Sequence, residues 1–328
     1  MIISRTPFRI SFCGGGTDLP SYYRQEFGAV TTTAINKYMY ITINKNFHDN
    51  IRVAYSETEI TNRVENLKHD LVRECLKLMG IRKKIEVTTM ADLPGKGTGM
   101  GSSSSLAVGL LHALHAFQDR YVPAEKLAQQ ACKVEIDILK NPIGKQDQYI
   151  AAYGGLKYVQ FNPDDSVLVE NITCSRQTKQ ELEKNLVLFY TGITRDANFI
   201  LKEQNYNTPG RLDILRKMRD LAVELRDALV ENDLTRFGQL MDKNWQYKKQ
   251  LASGIANSEI DAYYERAKKV GALGGKILGA GGGGFFLFYC PKEKQDALSK
   301  ALYPLREEPF KFEPQGSKIV FVDDAWNS

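Results

Sequence analysis

The densest run of chemically suggestive residues is Leu93-Pro-Gly-Lys-Gly-Thr-Gly-Met-Gly-Ser-Ser-Ser-Ser-Leu106. Gly95, Gly97, Gly99 and Gly101 clear side chains from a tight loop, reach positive φ without strain and let another molecule approach the backbone. Ser102 to Ser105 offer N-cap chemistry. Behind them Leu106, Leu110, Leu111, Leu114 and Phe117 recur at helical spacing. A glycine loop that feeds a helix N-terminus presents unpaired N–H groups and the positive end of the helix dipole, which together attract phosphate. The serine hydroxyls lie within reach of a phosphate-bound metal. The pattern is not a Walker loop, because Lys96 is followed by Gly97 and not by Ser or Thr.

Other candidates are scattered along the chain. Gly14, Gly15 and Gly16 end a strand and lead into Thr17 and Asp18. This stretch reads either as a plain turn in which Asp18 caps its own backbone or as a permissive loop presenting polar groups. Arg9 lies inside the preceding strand pattern, a position that suits a cation aimed into a cleft. Glu135 and Asp137 fall near the C-terminal end of a helix, where an acid opposes the helix dipole. A metal ion would account for such placement, and a solvated face is the reading for Asp137. Lys145 and Asp147 lie two apart in a turn, either as a positioned base with a lysine nearby or as a surface ion pair. Gly279 to Gly284 has the form G-x-G-x-x-G, but a strand follows and not a helix, so a dinucleotide fingerprint fails on context and a glycine hairpin fits better. The four histidines form no metal-binding motif, and His112 and His115 read as packing or surface residues.

The elements that must position these groups follow from periodicity. Ile2 to Phe12 reads as a strand interrupted at Pro7. Further strands are expected over Gly28 to Tyr40, Met39 to Ile43, Ile51 to Tyr55, Ile85 to Thr89, Leu156 to Phe161, Leu186 to Tyr190, Phe285 to Cys290 and Ile319 to Val322. Helices are expected over Asn66 to Met79, from Leu106 to Phe117, and from Pro123 to Leu139. Others are expected over Arg211 to Asn232, Leu234 to Leu251, Ile260 to Val270 and Asp296 to Tyr303, with charges on solvated faces. A chain of 328 residues with 43% hydrophobic and 25% charged residues suits two globular domains. The net charge of +5 suits anionic small molecules and is too mild for nucleic-acid binding. Cys13, Cys75, Cys132, Cys174 and Cys290 have no paired spacing and read as reduced thiols. With no membrane-length apolar run and no signal-peptide pattern, a cytoplasmic protein is expected.

The three glycine stretches, in this order, make the chain resemble the GHMP small-molecule kinases, which include galactokinase, homoserine kinase and mevalonate kinase. Thr6-Pro-Phe-Arg9 through Asp18 looks like their first motif, Pro94 through Ser103 like their phosphate loop, and Lys276 through Gly284 like their third. Within that superfamily the R-I-S-F-x-G-G-G-T-D-L run, the G-T-G-x-G-S-S-S-S loop, the G-K-Q-D-Q-Y turn and the Y-T-G-I-T-R run are similar to the D-glycero-D-manno-heptose 7-phosphate kinases. One departure is that four residues separate Pro94 from Gly99, where three are usual, so Ser102, Ser103 and Ser104 all stay candidates for the metal.

The resemblance implies an α/β (α+β) fold of two lobes. Residues 1–180 would form a mixed α/β lobe, and residues 181–328 a ferredoxin-like lobe with a helical insert. It implies ATP and Mg²⁺ as cofactors, with Asp147 as the catalytic carboxylate, Arg9 near the transferring phosphate and Lys145 steadying the base. Gly97, Thr98, Gly99, Met100, Gly101, Ser102, Ser103 and Ser104 would hold the ATP phosphates, and Ser103 with Glu135 the metal. Gly15, Gly16, Thr17, Asp18, Gly281 and Gly282 would face the sugar. Arg195 and Lys202 would meet a substrate phosphate, with Lys243 and Lys248 as weaker candidates that otherwise read as solvated helix charges. The implied reaction phosphorylates the anomeric C1 hydroxyl of the heptose 7-phosphate to a 1,7-bisphosphate. A neutral-sugar 1-kinase of galactose or fucose type, or a non-catalytic nucleotide and sugar binder, are the other readings. The expected partners are a sugar phosphate and ATP, with no nucleic acid or membrane, in a monomer or homodimer.

Overall fold

A single long strand anchors the architecture. In the computed structural model, which describes residues 1–94, 97–193 and 197–323, β1 (Ile2–Cys13) is buried without interruption from Thr6 to Cys13. Strands read as near-continuous apolar runs when helices cover the sheet, and here helices from both halves of the chain pack on it. Pro7 does not interrupt the strand. It coincides with a shift in register against the neighbouring strand between Pro7 and Phe8, the kind of place where a missing N–H is tolerated.

The neighbour is β2 (Gly28–Lys45), one 18-residue strand where two were expected. It pairs with β1 along its length. Its other edge is shared between β6 (Leu156–Phe161) and β5 (Ile85–Ala91). β3 (Ile51–Ala54) runs parallel to β5, and β4 (Thr58–Thr61) and β7 (Val167–Asn171) extend the sheet. β12 (Lys318–Val322), near the chain's end, returns to pair with the start of β1, giving eight strands. A second, antiparallel sheet has the order β11-β8-β10-β9, from β8 (Leu186–Tyr190), β9 (Gly274–Ile277), β10 (Phe285–Tyr289) and β11 (Arg306–Glu307). This is the ferredoxin-like order.

Of the helices, α1 (Pro20–Tyr23), α2 (Asp70–Leu78), α3 (Ser102–Phe117), α4 (Ala124–Cys132), α5 (Gln146–Tyr153) and α6 (Arg176–Asn185) precede the second sheet. α7 (Ala197–Asn207), α8 (Leu212–Val230), α9 (Leu234–Lys248) and α10 (Ser258–Lys269) form the helical insert between β8 and β9, and α11 (Gln295–Leu302) follows β10. Two local expectations change. The helix expected from Pro123 to Leu139 is α4 continued by a π-helical segment, Lys133–Ile138. The turn expected around Lys145 and Asp147 instead starts α5, with Asp147 in its first turn. α6 and β7 had no clear signal.

One core joins the large sheet to α3, α8 and α9. A second, centred on Trp245, Tyr264, Phe286 and Phe288, fills the other sheet. The two cores meet where the glycine loops lie. All five cysteines are free thiols. Among the described residues no helix is long and apolar enough to cross a membrane.

Candidate active site

The phosphate-loop stretch is shaped by alternating backbone conformation. Gly97, Gly99 and Gly101 have φ of 74°, 71° and 75°, while Thr98 and Met100 between them are buried. Gly101, not a serine, is the N-cap of α3, and no side chain caps it. The serines therefore lie inside the first turn, and the helix's leading N–H groups have no capping side chain in front of them. That is the arrangement that accepts phosphate.

The serines serve a buried carboxylate instead. Ser103 Oγ donates to Glu135 Oε1 at 2.7 Å, and Gln148 Nε2 donates to Glu135 Oε2 at 2.6 Å. Ser104 also donates to Glu135. Glu135 sits in the π-helical segment, and such widened turns often mark functional positions. It is fully buried, and burial pushes its carboxyl up to about 7 despite these donors. Among the described residues no cluster of three or more metal-ligating His, Cys, Asp or Glu side chains exists. A metal here would rest on one carboxylate, a hydroxyl and ligand phosphates, the usual manner for Mg²⁺.

Arg9 joins the loop to Asp147. Its Nε and Nη2 donate to the two Asp147 oxygens at 2.6 and 2.7 Å. Its Nη1 donates to the Gly99 carbonyl, and its backbone N–H to Met100 O. The forked guanidinium thus orients the carboxylate and the phosphate loop together. Gly101 suits the place beside it, since its φ is +75° and a Cβ there would crowd Asp147 Oδ2 at 3.1 Å.

The first glycine turn forms the opposite wall. Asp18 is 3% exposed and accepts the N–H groups of Gly16 and Gln146. Burial raises its pKa, with Asp147 adding to the rise. The turn rests on α9, where Asn244 Oδ1 accepts Gly14 N–H and Lys248 Nζ donates to Gly279 O. The glycine hairpin before β10 closes the third side. A Cβ on Gly279 would come within 2.5 Å of the Gly99 Cα. These walls enclose a cleft of about 1210 Å³ that also reaches Tyr55, Leu71 and Met90.

The comparisons decide the family. Residues 66–155 match the GHMP kinases N terminal domain, and residues 225–305 match GHMP kinases C terminal. A D-glycero-alpha-D-manno-heptose 7-phosphate kinase of Campylobacter jejuni is 30% identical over 92% of this chain and 93% of its own. The chain belongs to the GHMP kinases. This kinase is an ATP-dependent phosphotransferase acting on a hydroxyl. An L-fucokinase/L-fucose-1-P guanylyltransferase of Bacteroides fragilis is 29% identical over 91% of this chain, which spans 35% of that longer protein. The fold matches the crystal structure of a D-glycero-D-manno-heptose 1-phosphate kinase from Bacteroides thetaiotaomicron, with TM-score 0.82, 24% identity and coverage of 99% and 100%.

Within this GHMP kinase, Arg9, Asp147, Gly15, Gly16, Asp18, Gly281 and the loop from Gly97 to Ser103 all line one cleft. Glu135 and Ser104 lie behind the loop. Thr17 does not face the cleft. Its hydroxyl contacts Gly14 O and Ala29 O and accepts Ala29 N–H, so it pins the turn. Met100 packs in the core, and Gly282 N–H is bound to Ile255 O. Lys145 points away from Asp147: it pairs with Asp165 Oδ1 at 2.8 Å and lies over the Tyr23 ring. Arg195 lies outside the described residues, and Lys202 is exposed. Lys243 is exposed as expected, but Lys248 is not a solvated charge. It is 4% exposed and lines the cleft. It falls four residues after Asn244 and seven after Met241, on the helix's buried stripe.

Proposed function

We propose that this kinase transfers the γ-phosphoryl group of ATP to the anomeric C1 hydroxyl of D-glycero-D-manno-heptose 7-phosphate, giving the 1,7-bisphosphate. The observation that carries the chemistry is the bidentate Arg9–Asp147 pair at the mouth of an uncapped, glycine-lined helix N-terminus. The 30% identity to a heptose 7-phosphate kinase over almost the full length of both chains supports the substrate.

Phosphoryl transfer needs alignment and charge neutralisation more than covalent chemistry. In this reading the amides of the Gly97–Ser104 loop hold the phosphates, and Tyr55, Leu71 and Met90 form the wall beside the base. Asp147, its two oxygens fixed by Arg9, accepts the proton of the sugar hydroxyl and holds that oxygen in line. Arg9 places positive charge where the transferred group passes. Glu135 and Ser103 offer hard oxygen donors suited to Mg²⁺, and burial, with Asp147 adding to it, is what raises the Glu135 carboxyl. The metal would supply charge neutralisation across the phosphate oxygens. The free thiols fit work in the cytoplasm.

The test is ATP consumption with Mg²⁺ against D-glycero-D-manno-heptose 7-phosphate, its dephosphorylated form, galactose, fucose and mannose. Turnover confined to the phosphorylated heptose is expected. Equal turnover of fucose or galactose would overturn the substrate and favour the neutral-sugar reading, which the fucokinase similarity keeps open.

A further inference from the structure

The first glycine turn is ringed by polar groups that the transfer chemistry leaves unused. Gln204 on α7 is 2% exposed, and its Nε2 is buried without a partner. It presses on the turn so closely that a Cβ on Gly16 would lie 2.3 Å from that nitrogen. Gln146, the first residue of α5, has a buried Oε1 without a partner. Its Nε2 and Lys248 Nζ lie 3.7 and 3.8 Å from where a Gly15 Cβ would stand. All three residues line the cleft that holds Arg9 and Asp147. Buried polar atoms are nearly always paired, so the two exceptions on one wall, Gln204 Nε2 and Gln146 Oε1, call for a ligand.

The groups are also braced. Asn205 Nδ2 donates to Pro142 O at 3.3 Å, and Asn207 Nδ2 to Leu251 O at 3.0 Å, which hold the end of α7 just after Gln204. Gln146 is fixed through its backbone N–H to Asp18. A braced, unpaired carboxamide has the preorganisation that recognition needs.

We infer that Gln204, Gln146 and Lys248 form the collar that reads the acceptor: Gln204 donates to one oxygen beside the reacting hydroxyl, Gln146 accepts from a neighbouring hydroxyl, and Lys248 donates to a third oxygen of the same molecule. The inference rests on the sugar-kinase reading and adds the groups that make the acceptor a polyol. An alcohol without flanking oxygens leaves these atoms unpaired and is rejected.

The experiment is steady-state kinetics of Gln204→Met with D-glycero-D-manno-heptose 7-phosphate, alongside thermal unfolding of the free protein. The acceptor KM is expected to rise about tenfold or more, with the ATP KM within about twofold. The melting temperature should hold or rise, because the lost amide had no partner in the free protein. A merely structural role would lower the melting temperature and move both KM values together, and that result overturns the collar. So does an unchanged acceptor KM. A second arm leaves the chain intact: with the wild-type enzyme the 2-deoxy acceptor should show a higher KM than its parent sugar, and equal KM values for the two would overturn the collar as well. Wild-type turnover of no sugar at all overturns the parent reading, and the collar with it.

Discussion

Replacing Lys248 with methionine should change how stability depends on pH more than it changes stability itself. Burial, then the charge of Arg9, pushes the Lys248 ammonium down from its ordinary 10.5 to about 8, with Asp18 and Asp147 opposing. Lys276 is the other cation facing it. At neutral pH both folded and unfolded chains carry the proton, and the folded chain bears the full cost of a buried charge. The gap between 10.5 and about 8 makes that cost on the order of 3 kcal/mol. Between those values the unfolded chain binds more protons than the folded one, so this group makes stability rise with pH across that window. Methionine removes the charge but leaves Gly279 O without its donor, which costs about 1–3 kcal/mol. The two effects nearly cancel at neutral pH. The slope does not cancel. In urea unfolding at about pH 7 and about pH 10, the wild type should gain about 2–3 kcal/mol more than Lys248→Met. Repeating the comparison in a Lys276→Met background keeps the neighbouring amine from reporting in its place. Parallel stability curves for wild type and variant would refute the reasoning, because they would mean the ammonium is solvated.

Asp147→Asn should lower kcat by about 10²–10⁴-fold while nucleotide still binds, as steady-state rates and nucleotide titration will show. It should also cost about 3–5 kcal/mol in urea unfolding, since the Arg9 side chain is only 5% exposed and loses its counter-charge. Glu135→Gln should raise the Mg²⁺ concentration for half-maximal rate by about tenfold or more, read by metal titration; an unmoved midpoint would remove Glu135 from the metal's surroundings. Gly99→Ala forces a Cβ to within 2.4 Å of Leu278 O at a φ of +71°, whereas Gly80→Ala meets nothing within 4 Å at the same φ. Both should be destabilised by about 1–2 kcal/mol of backbone strain, and only Gly99→Ala should also raise the ATP KM, so equal kinetics in the two would refute the close approach.

The parts of this site that were legible in the sequence are those that violate local pattern. Glycine repeated every second residue from Gly95 to Gly101 has no role in an ordinary cap, and Arg9 in an apolar strand needs a destination. Glu135 opposes a helix dipole. Each is an anomaly that local rules expose. Lys145 shows where neighbourhood in sequence misleads. Once Gln146 starts a helix, residues two apart no longer face each other, and Lys145 turns to Asp165 while Asp147 turns to Arg9. Lys248, Asn244 and Gln204 were hidden for a different reason. Each lies on an amphipathic helix, where a polar residue is ordinarily taken as solvated. Their burial depends on the first glycine turn, more than 180 residues away in the chain. The serines were misassigned as caps because Gly101, with its positive φ, takes that position.

The glycine loops explain why the chemistry needs both halves of the chain. Gly99 sits between Arg9, which binds its carbonyl, and the Leu278–Gly279 backbone, which crowds its Cα. Gly284 presses on Gly97 and Thr98 in the same way. The glycine loop before α3 therefore has backbone from the second sheet on one side and the Arg9 guanidinium on the other. Lys248 adds a tie, because its ammonium binds Gly279 O and also lies beside the first glycine turn, 3.8 Å from where a Gly15 Cβ would stand. A displacement of the hairpin before β10 must move Gly99, and through the shared guanidinium it must move Asp147. In this reading the third glycine motif lines the cleft with Gly281 and puts no side chain on the γ-phosphoryl position or the acceptor hydroxyl. Its side-chain-free backbone instead fixes the distance between them, and alignment is what phosphoryl transfer most requires.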